Sequence, residues 1–281
     1  MAYRIVVDSC CELPDQYYTD ERFIRIPLEL QIGDYRIPDD DDFNQLDFIR
    51  RVAESAECAR SACPPPEKFM QAYSSDVSDI YVVTLSAKLS GSYNAAILAA
   101  DLYEEEYEDE YGPRNIHVFD SKSASACEAQ IALKILEYAE AGKSFNDIVD
   151  LVENFRDIVK TYFVIDNLDT FIKNGRVSKL KGTVASTLNI KPILTGVEGE
   201  IEQIGQAMGM KKAINSLIEA VKTRHPDASG RRLVITHCNC PDRAQKIADA
   251  LESLTGAPAL IMDTRGVSTM YANDGGVIVT I

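Results

Sequence analysis

Histidine is scarce in this 281-residue chain, which has only His117, His225 and His237. His117 falls inside an expected buried strand and His225 precedes Pro226 in a loop, so general-base catalysis by histidine is thinly supplied. There is no G-x-x-x-x-G-K-[ST] phosphate loop, no G-x-G-x-x-G after the first strand, no G-x-S-x-G elbow and no H-E-x-x-H, which excludes the enzymes built on those devices. No apolar run approaches the roughly 18 residues of a membrane span. The longest, Ile80 to Leu85 and Val277 to Ile281, are strand-sized, and no transmembrane segment is expected. The opening residues Met1 to Asp8 lack the basic, apolar and small-residue parts of a signal peptide, so the cytoplasm is the expected location. Positive charge is the minority: 29 Lys and Arg against 44 Asp and Glu leave a formal charge of −15. That excess repels phosphate backbones and makes nucleic acid a poor candidate ligand.

Paired cysteine spacings are missing too. The seven cysteines at 10, 11, 58, 63, 127, 238 and 240 form an odd set without a repeated interval, in a chain too long to need stapling, and read as reduced thiols. His237-Cys238-Asn-Cys240 offers a soft metal three ligands from one loop, but a closed zinc site draws four from two pairs and no second pair exists, so no metal is expected. Vicinal Cys10-Cys11 lacks the C-x-x-C spacing of a redox pair and is expected to be buried after the first strand.

What is present is an ordinary globular composition, 46% hydrophobic and 26% charged. Buried-strand runs at Ile5–Val7, Phe23–Leu30, Ile80–Leu85 and Ile116–Phe119 alternate with helical periodicity at Phe43–Ala56, Glu67–Tyr73, Ser90–Tyr103, Ser125–Ala141 and Asn146–Val159. That alternation predicts an α/β class with a mostly parallel sheet. After a strand at Tyr162–Ile165 and a short helix closed by Asn174-Gly175, the rhythm changes. Pro192–Leu194 and Ile201–Gln206 read as an antiparallel hairpin around Thr195–Glu200, followed by helices at Lys211–Thr223 and Asp242–Leu254 and strands at Leu233–Thr236, Ala259–Met262 and Val277–Ile281. Two domains are expected, an N-terminal α/β domain over 1–157 and a C-terminal α/β domain over 158–281. The acidic stretches Asp39–Asp42 and Glu104–Glu110 read as solvated.

Four hydroxyl-rich turns lie where strands end and helices begin: Asp8–Pro14, Ser61–Pro66, Leu85–Tyr93 and Asp120–Ser125. Helix starts present backbone N–H groups and partial positive charge, and suit a carboxylate or phosphate placed beside the carboxyl ends of an open sheet. Each turn is equally explained by helix capping, for which Ser and Asp are favoured anywhere.

Taken together and in order, the segments Val7-Asp8-Ser9 with Leu13-Pro14, Ser61 to Phe69, Leu89-Ser-Gly-Ser-Tyr93, Asp120-Ser121, Leu168-Asp-Thr-Phe-Ile-Lys-Asn-Gly-Arg-Val-Ser178 and Leu188-Asn-Ile-Lys-Pro-Ile-Leu194 resemble the DegV family of bacterial fatty-acid-binding proteins. They span nearly the whole chain. The resemblance implies a two-domain DegV-like α/β fold, with a mostly parallel sheet in the first domain and a mixed sheet with helices in the second. It implies one long-chain fatty acid in a tunnel between the domains, and no cofactor, metal or catalytic residue. By position, the carboxylate would be held by the hydroxyls of Ser61 and Ser90 and the backbone amides of Gly91 and Ser92, glycine allowing close backbone approach. Leu168, Phe171, Ile172, Leu188 and Ile193 would line the acyl tunnel, although each serves equally well as ordinary core. At roughly 0.8 kcal/mol per methylene, about 14 buried methylenes gain on the order of 11 kcal/mol. That gain works against an association cost of about 4–15 kcal/mol.

In the family scheme the protein presents its acid to a fatty acid kinase, which phosphorylates the carboxylate. This chain departs from the pattern at two places. Met208 stands where an arginine precedes the Lys-Lys-Ala helix, and Tyr271 stands where a histidine precedes a Gly-Pro-Gly turn; methionine cannot imitate the guanidinium fork. Binding and presentation of the acid to a partner such as a fatty acid kinase is the leading expectation, with binding that survives without kinase coupling as the alternative these two departures raise. Arg176 and Lys191 remain as nearby positive charges or as surface ion-pair residues. Three other readings stay open. They are the same fold holding a different amphiphile, a serine-dependent small-molecule enzyme using Ser61 or Ser90 beside Asp8 or Asp120, and an interaction module docking a basic partner on its acidic surface.

Overall fold

The structure, a computed structural model, describes residues 2–74, 76–106, 108–177 and 189–281. In chain order the first stretch holds β1 (Tyr3–Asp8), β2 (Phe23–Ile26), β3 (Glu29–Ile32), β4 (Tyr35–Pro38), α1 (Gln45–Glu54), β5 (Arg60–Ala62), α2 (Pro66–Tyr73), β6 (Asp79–Thr84), α3 (Ser92–Glu106), α4 (Glu108–Tyr111), β7 (Asn115–Asp120), α5 (Ala126–Glu140) and α6 (Phe145–Ile158). The second holds β8 (Thr161–Val164), α7 (Asp169–Lys173), β9 (Ile190–Val197), β10 (Glu200–Met208), α8 (Met210–Arg224), β11 (Val234–His237), α9 (Pro241–Thr255), β12 (Leu260–Asp263), α10 (Gly266–Ala272) and β13 (Val277–Thr280).

Among the described residues the strands form three sheets. The first, β2-β1-β6-β7, is parallel throughout, and β6 is buried at all six residues, as a strand covered on both faces must be. Ile5, Val7, Tyr81 and Val83 pack on α5 and α6 on one face, while Val6, Ile80 and Val82 pack on α2 and α3 on the other. The third sheet, β10-β9-β8-β13-β11-β12, is mixed: only β11 and β12 run parallel. Its outer face buries Val164, Ile193, Ile235 and Val279 against α8 and α9. The α/β class and the contrast between a parallel and a mixed sheet are as the sequence predicts.

The second sheet, β4-β3-β5, is antiparallel and was not expected. The apolar run Phe23–Leu30 reads as one strand but is broken at Pro27, which has no N–H to donate and so interrupts the ladder. β2 stays in the parallel sheet, whereas Leu28 donates its amide to Ser9 Oγ at 3.0 Å and the chain turns off into β3. Ser61, expected in a turn, therefore sits in β5 paired with Leu30. Helix α10 was also unforeseen. No side chain at its own start caps it; Asp39 does, accepting from the amides of Gly266 at 2.8 Å and Val267 at 2.9 Å. The reading of Asp39–Asp42 as solvated is thus corrected for Asp39, which is fully buried.

Candidate functional site

The carboxyl ends of β1, β6 and β7 converge on one edge of the parallel sheet, where open α/β sheets place their ligands. Two aspartates fix the loops there. Asp8 accepts the amides of Cys10 at 3.0 Å and Leu85 at 2.9 Å, tying the loop after β1 to the loop after β6. Asp120 accepts the amides of Ala87 at 3.1 Å and Lys122 at 2.9 Å, tying the loops after β6 and β7. In the last of these loops Lys122 and Ser125 hold left-handed backbone at φ 51° and 58°, unusual for residues with a Cβ. Ser125 nonetheless caps α5 in a reciprocal box with Glu128.

Opposite these loops stands the inner face of the mixed sheet. Thr161, Phe163 and Ile165 alternate along β8 and its exit and so share that face, with Ile278 beside Phe163. Between the two surfaces lies a cavity of about 320 Å³, at the lower end of small-molecule pockets. Helix α10 closes one side with Val267, Ser268 and Tyr271, and α7 contributes Phe171.

One end of the cavity gathers the hydroxyls expected from sequence. Ser61 from β5 and Ser90 and Gly91 from the turn before α3 line it together with Cys63, Arg176 and Tyr271. Ser90 Oγ lies 3.0 Å from Ser92 Oγ and accepts the Ser92 amide at 3.2 Å. A Cβ on Gly91 would stand 2.9 Å from Cys63 Sγ, so a side chain there would force the Cys63 thiol aside. Arg176 donates Nε to the Leu89 carbonyl at 3.2 Å and is also bonded to the Asn174 carbonyl, which holds its guanidinium at the cavity wall. Tyr271 packs on Phe171 with the rings tilted by 35° and their centroids 4.6 Å apart. Burial raises its phenol above the ordinary value, partly offset by Arg176 and by a hydrogen bond with Ser61, so the group stays neutral.

The other predicted residues fall elsewhere. Ser92 is buried behind Ser90, and Leu168 packs in the core behind the cavity, near Phe163 and Phe171. Ile172 faces out, 47% exposed, because α7 turns only its Phe171 side inwards. Ile193 belongs to the opposite face of the mixed sheet, against α8, as the alternation along β9 requires. Leu188 lies outside the described residues. Lys191 pairs with Asp166 at 2.5 Å and does not line the cavity, and Met208 is exposed. Among the wall residues missed by sequence are Thr161, Phe163 and Ile165, for which the alternation of side chains along β8 was the available signal.

Beneath the loops three buried carboxyls cluster: Asp8, Glu12 and Glu128. Glu12 accepts from Ser125 Oγ at 2.6 Å and from the Arg265 amide at 3.0 Å. Desolvation pushes Asp8 up to about 6 and Glu12 up to about 7, hydrogen bonds opposing it; burial and the Asp8 charge push Glu128 well above the usual range. None is hydrogen-bonded directly to Ser61 or Ser90; Asp8 reaches Ser90 only through the Ser92 hydroxyl between them. The histidines are engaged elsewhere, His117 with Glu153, His225 with Tyr162 and His237 with Asp263. Among the described residues no group of three or more His, Cys, Asp or Glu side chains is arranged to hold a metal ion, and no helix is long and apolar enough to cross a membrane.

The family model for DegV, described as a family of uncharacterised proteins, matches residues 2–280. A DegV domain-containing protein of Streptococcus pyogenes serotype M1 is 33% identical over 284 residues, covering 99% of this chain and 98% of its own. Among solved structures, a DegV-family protein from Ruminococcus gnavus refined with vaccenic acid is 44% identical with a TM-score of 0.94, covering 100% of this chain and 99% of its own. The Streptococcus pneumoniae fatty acid kinase B3 protein loaded with linoleic acid is 29% identical with a TM-score of 0.89, again covering 100% and 99%.

Proposed function

The chain belongs to the DegV family, and from that premise we propose that its cavity encloses one long-chain fatty acid and that the protein binds and hands on this acid without chemistry of its own. The observation that carries the reading is the division of the cavity: serine hydroxyls, the Gly91 backbone and Arg176 at one end, and apolar side chains of the mixed sheet along its length. The vaccenic acid of the Ruminococcus gnavus relative supports it. In this reading the carboxylate rests on Ser61 and Ser90 and on the amides of Gly91 and Ser92, with Phe171 on the acyl wall. Leu168 and Ile193 sit behind the wall rather than on it, and Ile172 is free of it. The two halves, 1–157 and 158–281, act as the domains that part and close around the acid, and the cytoplasm is the place of action.

The partner in this reading is a fatty acid kinase that phosphorylates the presented carboxylate. The pneumococcal relative supports the association through its name. Met208 and Tyr271 replace charged or ionisable groups, and we expect weak coupling to such a kinase, with Met208→Arg raising the rate of acyl phosphate formation. The rival reading of Ser61 or Ser90 as nucleophile lacks support, since neither serine has a base and Asp8 and Asp120 are spent on backbone amides.

The test begins with organic extraction of the purified protein and mass spectrometry of the extract, with an unrelated α/β protein from the same host as control. One equivalent of a long-chain acid is expected. Titration of delipidated protein with hexadecanoic acid then compares the parent with the Ser61→Ala/Ser90→Ala double variant. Hydrogen bonds to a charged group contribute about 1.5–3 kcal/mol each, so at least a tenfold loss of affinity is expected. Parental affinity in the double variant would refute the placement of the carboxylate.

A further inference from the structure

We propose that the far end of the cavity is a polar subsite built by Ser123 and Thr161, and that it selects acids carrying a hydroxyl at or near the ω end. The inference rests on the fatty-acid reading of the same cavity and adds the class of tail it takes.

The strand β8 measures the distance between the two ends. Ile165 clusters with Phe171 by the carboxylate end, and Thr161 lies four residues away on the same face, roughly 13 Å at about 3.3 Å per residue. Between them the wall is apolar, with Phe163 and Ile278 paired in register. At Thr161 the character changes. Its Oγ1 lies 2.7 Å from Ser123 Oγ, and both residues line the cavity. Gly196 faces the pair without a side chain: a Cβ there would stand 3.9 Å from Thr161 Cβ and 4.0 Å from Ser123 Oγ, so the space before the hydroxyls is left open.

A tunnel meant only for a methyl terminus has no use for that pair. Two hydroxyls carry two donors and four lone pairs; their mutual bond consumes one of each and the Cys127 thiol behind them takes up the remaining donor, so lone pairs are left to accept from a third hydroxyl. The pair also forms a partition. Ser123, Thr161 and Gly196 line a second space of about 30 Å³ on their other side, large enough for a water or a hydroxymethyl group.

The chemistry of that space favours a neutral group over a second carboxylate. Its cations are already engaged: Lys122 with Asp157 at 3.1 Å and Glu198 at 3.2 Å, Arg156 with Glu153 and Asp157, and Lys160 with the Asp157 carbonyl at 2.6 Å. Asp157 and Glu198 face the same space, and an incoming carboxylate would meet their charge.

The test titrates delipidated protein with matched pairs of acids from dodecanoic to octadecanoic, each with and without an ω-hydroxyl. At the length that spans the cavity, the hydroxylated acid is expected to bind about tenfold more tightly, the size of one well-made neutral hydrogen bond. An apolar end gives the opposite sign, because burying the hydroxyl unpaired weakens binding. Thr161→Val keeps the branched shape, removes the hydroxyl, and is expected to abolish the preference. Weaker binding of the hydroxylated acid at every length, a preference unchanged in Thr161→Val, or tighter binding of the α,ω-dicarboxylic acid would each overturn the subsite. Binding of the plain acids with no gain from the hydroxyl sinks this inference alone; no binding of any acid sinks the fatty-acid reading with it.

Discussion

Replacing Glu12 by glutamine should make the protein less sensitive to rising pH. Glu12 is fully buried, and desolvation lifts its carboxyl from an ordinary value near 4.5 to about 7, against the opposing hydrogen bonds of Ser125, Arg265 and Ser268. A carboxyl with a raised folded value holds its proton more tightly in the folded chain. Its contribution to stability is complete below about 4.5 and is lost as the pH climbs through about 7. Between about pH 5 and pH 8 the loss works out at about 2–3 kcal/mol from that shift. Glutamine imitates the neutral acid: its oxygen accepts from the Arg265 amide and its NH2 faces Ser125 Oγ, which turns its own proton to Thr236 Oγ1 at 2.7 Å. Asp8 and Glu128 act in the same direction as Glu12, and the lowered His225 and His237 act against it; Asp8 and the two histidines are common to both proteins and cancel in the difference, while loss of the Glu12 charge removes one of the causes that raise Glu128 and works in the same direction as the substitution itself. Urea unfolding of parent and variant at the two pH values reads the effect. Glu12→Gln should gain on the parent by about 2–3 kcal/mol on going from acid to alkaline buffer. A difference that stays constant with pH would refute the claim that Glu12 is neutral in the folded protein.

Gly266→Ala should destabilise the fold by about 1–3 kcal/mol through overpacking, since a Cβ there would lie 2.4 Å from Leu30 Cδ1 and 2.6 Å from Asp39 Cγ; thermal unfolding checks it. Phe171→Ala should weaken hexadecanoic acid binding, while Ile172→Gln should not, because only the first side chain lines the cavity; equal losses in both would place the wall wrongly. A thiol reagent at mild alkaline pH should label exposed Cys63 first and leave Cys10, Cys11, Cys127 and Cys238 unlabelled until the chain is unfolded. Burial pushes the Cys127 thiol up to about 11 and that of Cys238 to about 12, so little thiolate forms there. Bound hexadecanoic acid should slow the labelling of Cys63, which shares the cavity end with Ser61 and Ser90.

The local part of the fold was legible in the sequence. Short apolar runs and helical periodicities identified the parallel strands and their helices, because a strand such as β6, buried at every residue, has to be written in apolar residues. Where local pattern and long-range pairing compete, sequence reading failed. Phe23–Leu30 is uniformly strand-like, and only Pro27 hints that half of it pairs with residues 35 to 62 instead. Helix α10 carries no cap of its own, so nothing near it in sequence announces its start. The same limit governs the site. Ser61, Ser90 and Gly91 were legible through their motifs, whereas Ile172 and Ile193 match Phe171 in chemistry and differ only in which way their elements turn them. Thr161 and Ser123 become a pair only once β8 is laid beside the loop after β7.

Asp39 caps a helix 227 residues further along the chain, and Glu12 accepts an amide 253 residues away. During synthesis at about 5–20 residues per second, Asp39 waits roughly 11–45 s for Gly266 to be made. Through that interval both carboxyls lack the amides that justify burying them. They would stay hydrated and charged, holding the loops of the cavity floor open to solvent. The nascent first half is therefore a sheet with an unfinished edge, and the last few turns of the protein complete a structure begun at its start. A truncation that removes the final seventeen residues takes the Arg265, Gly266 and Val267 amides away together with β13, so it reaches Asp39 and Glu12, far from the cut in sequence, as well as the mixed sheet.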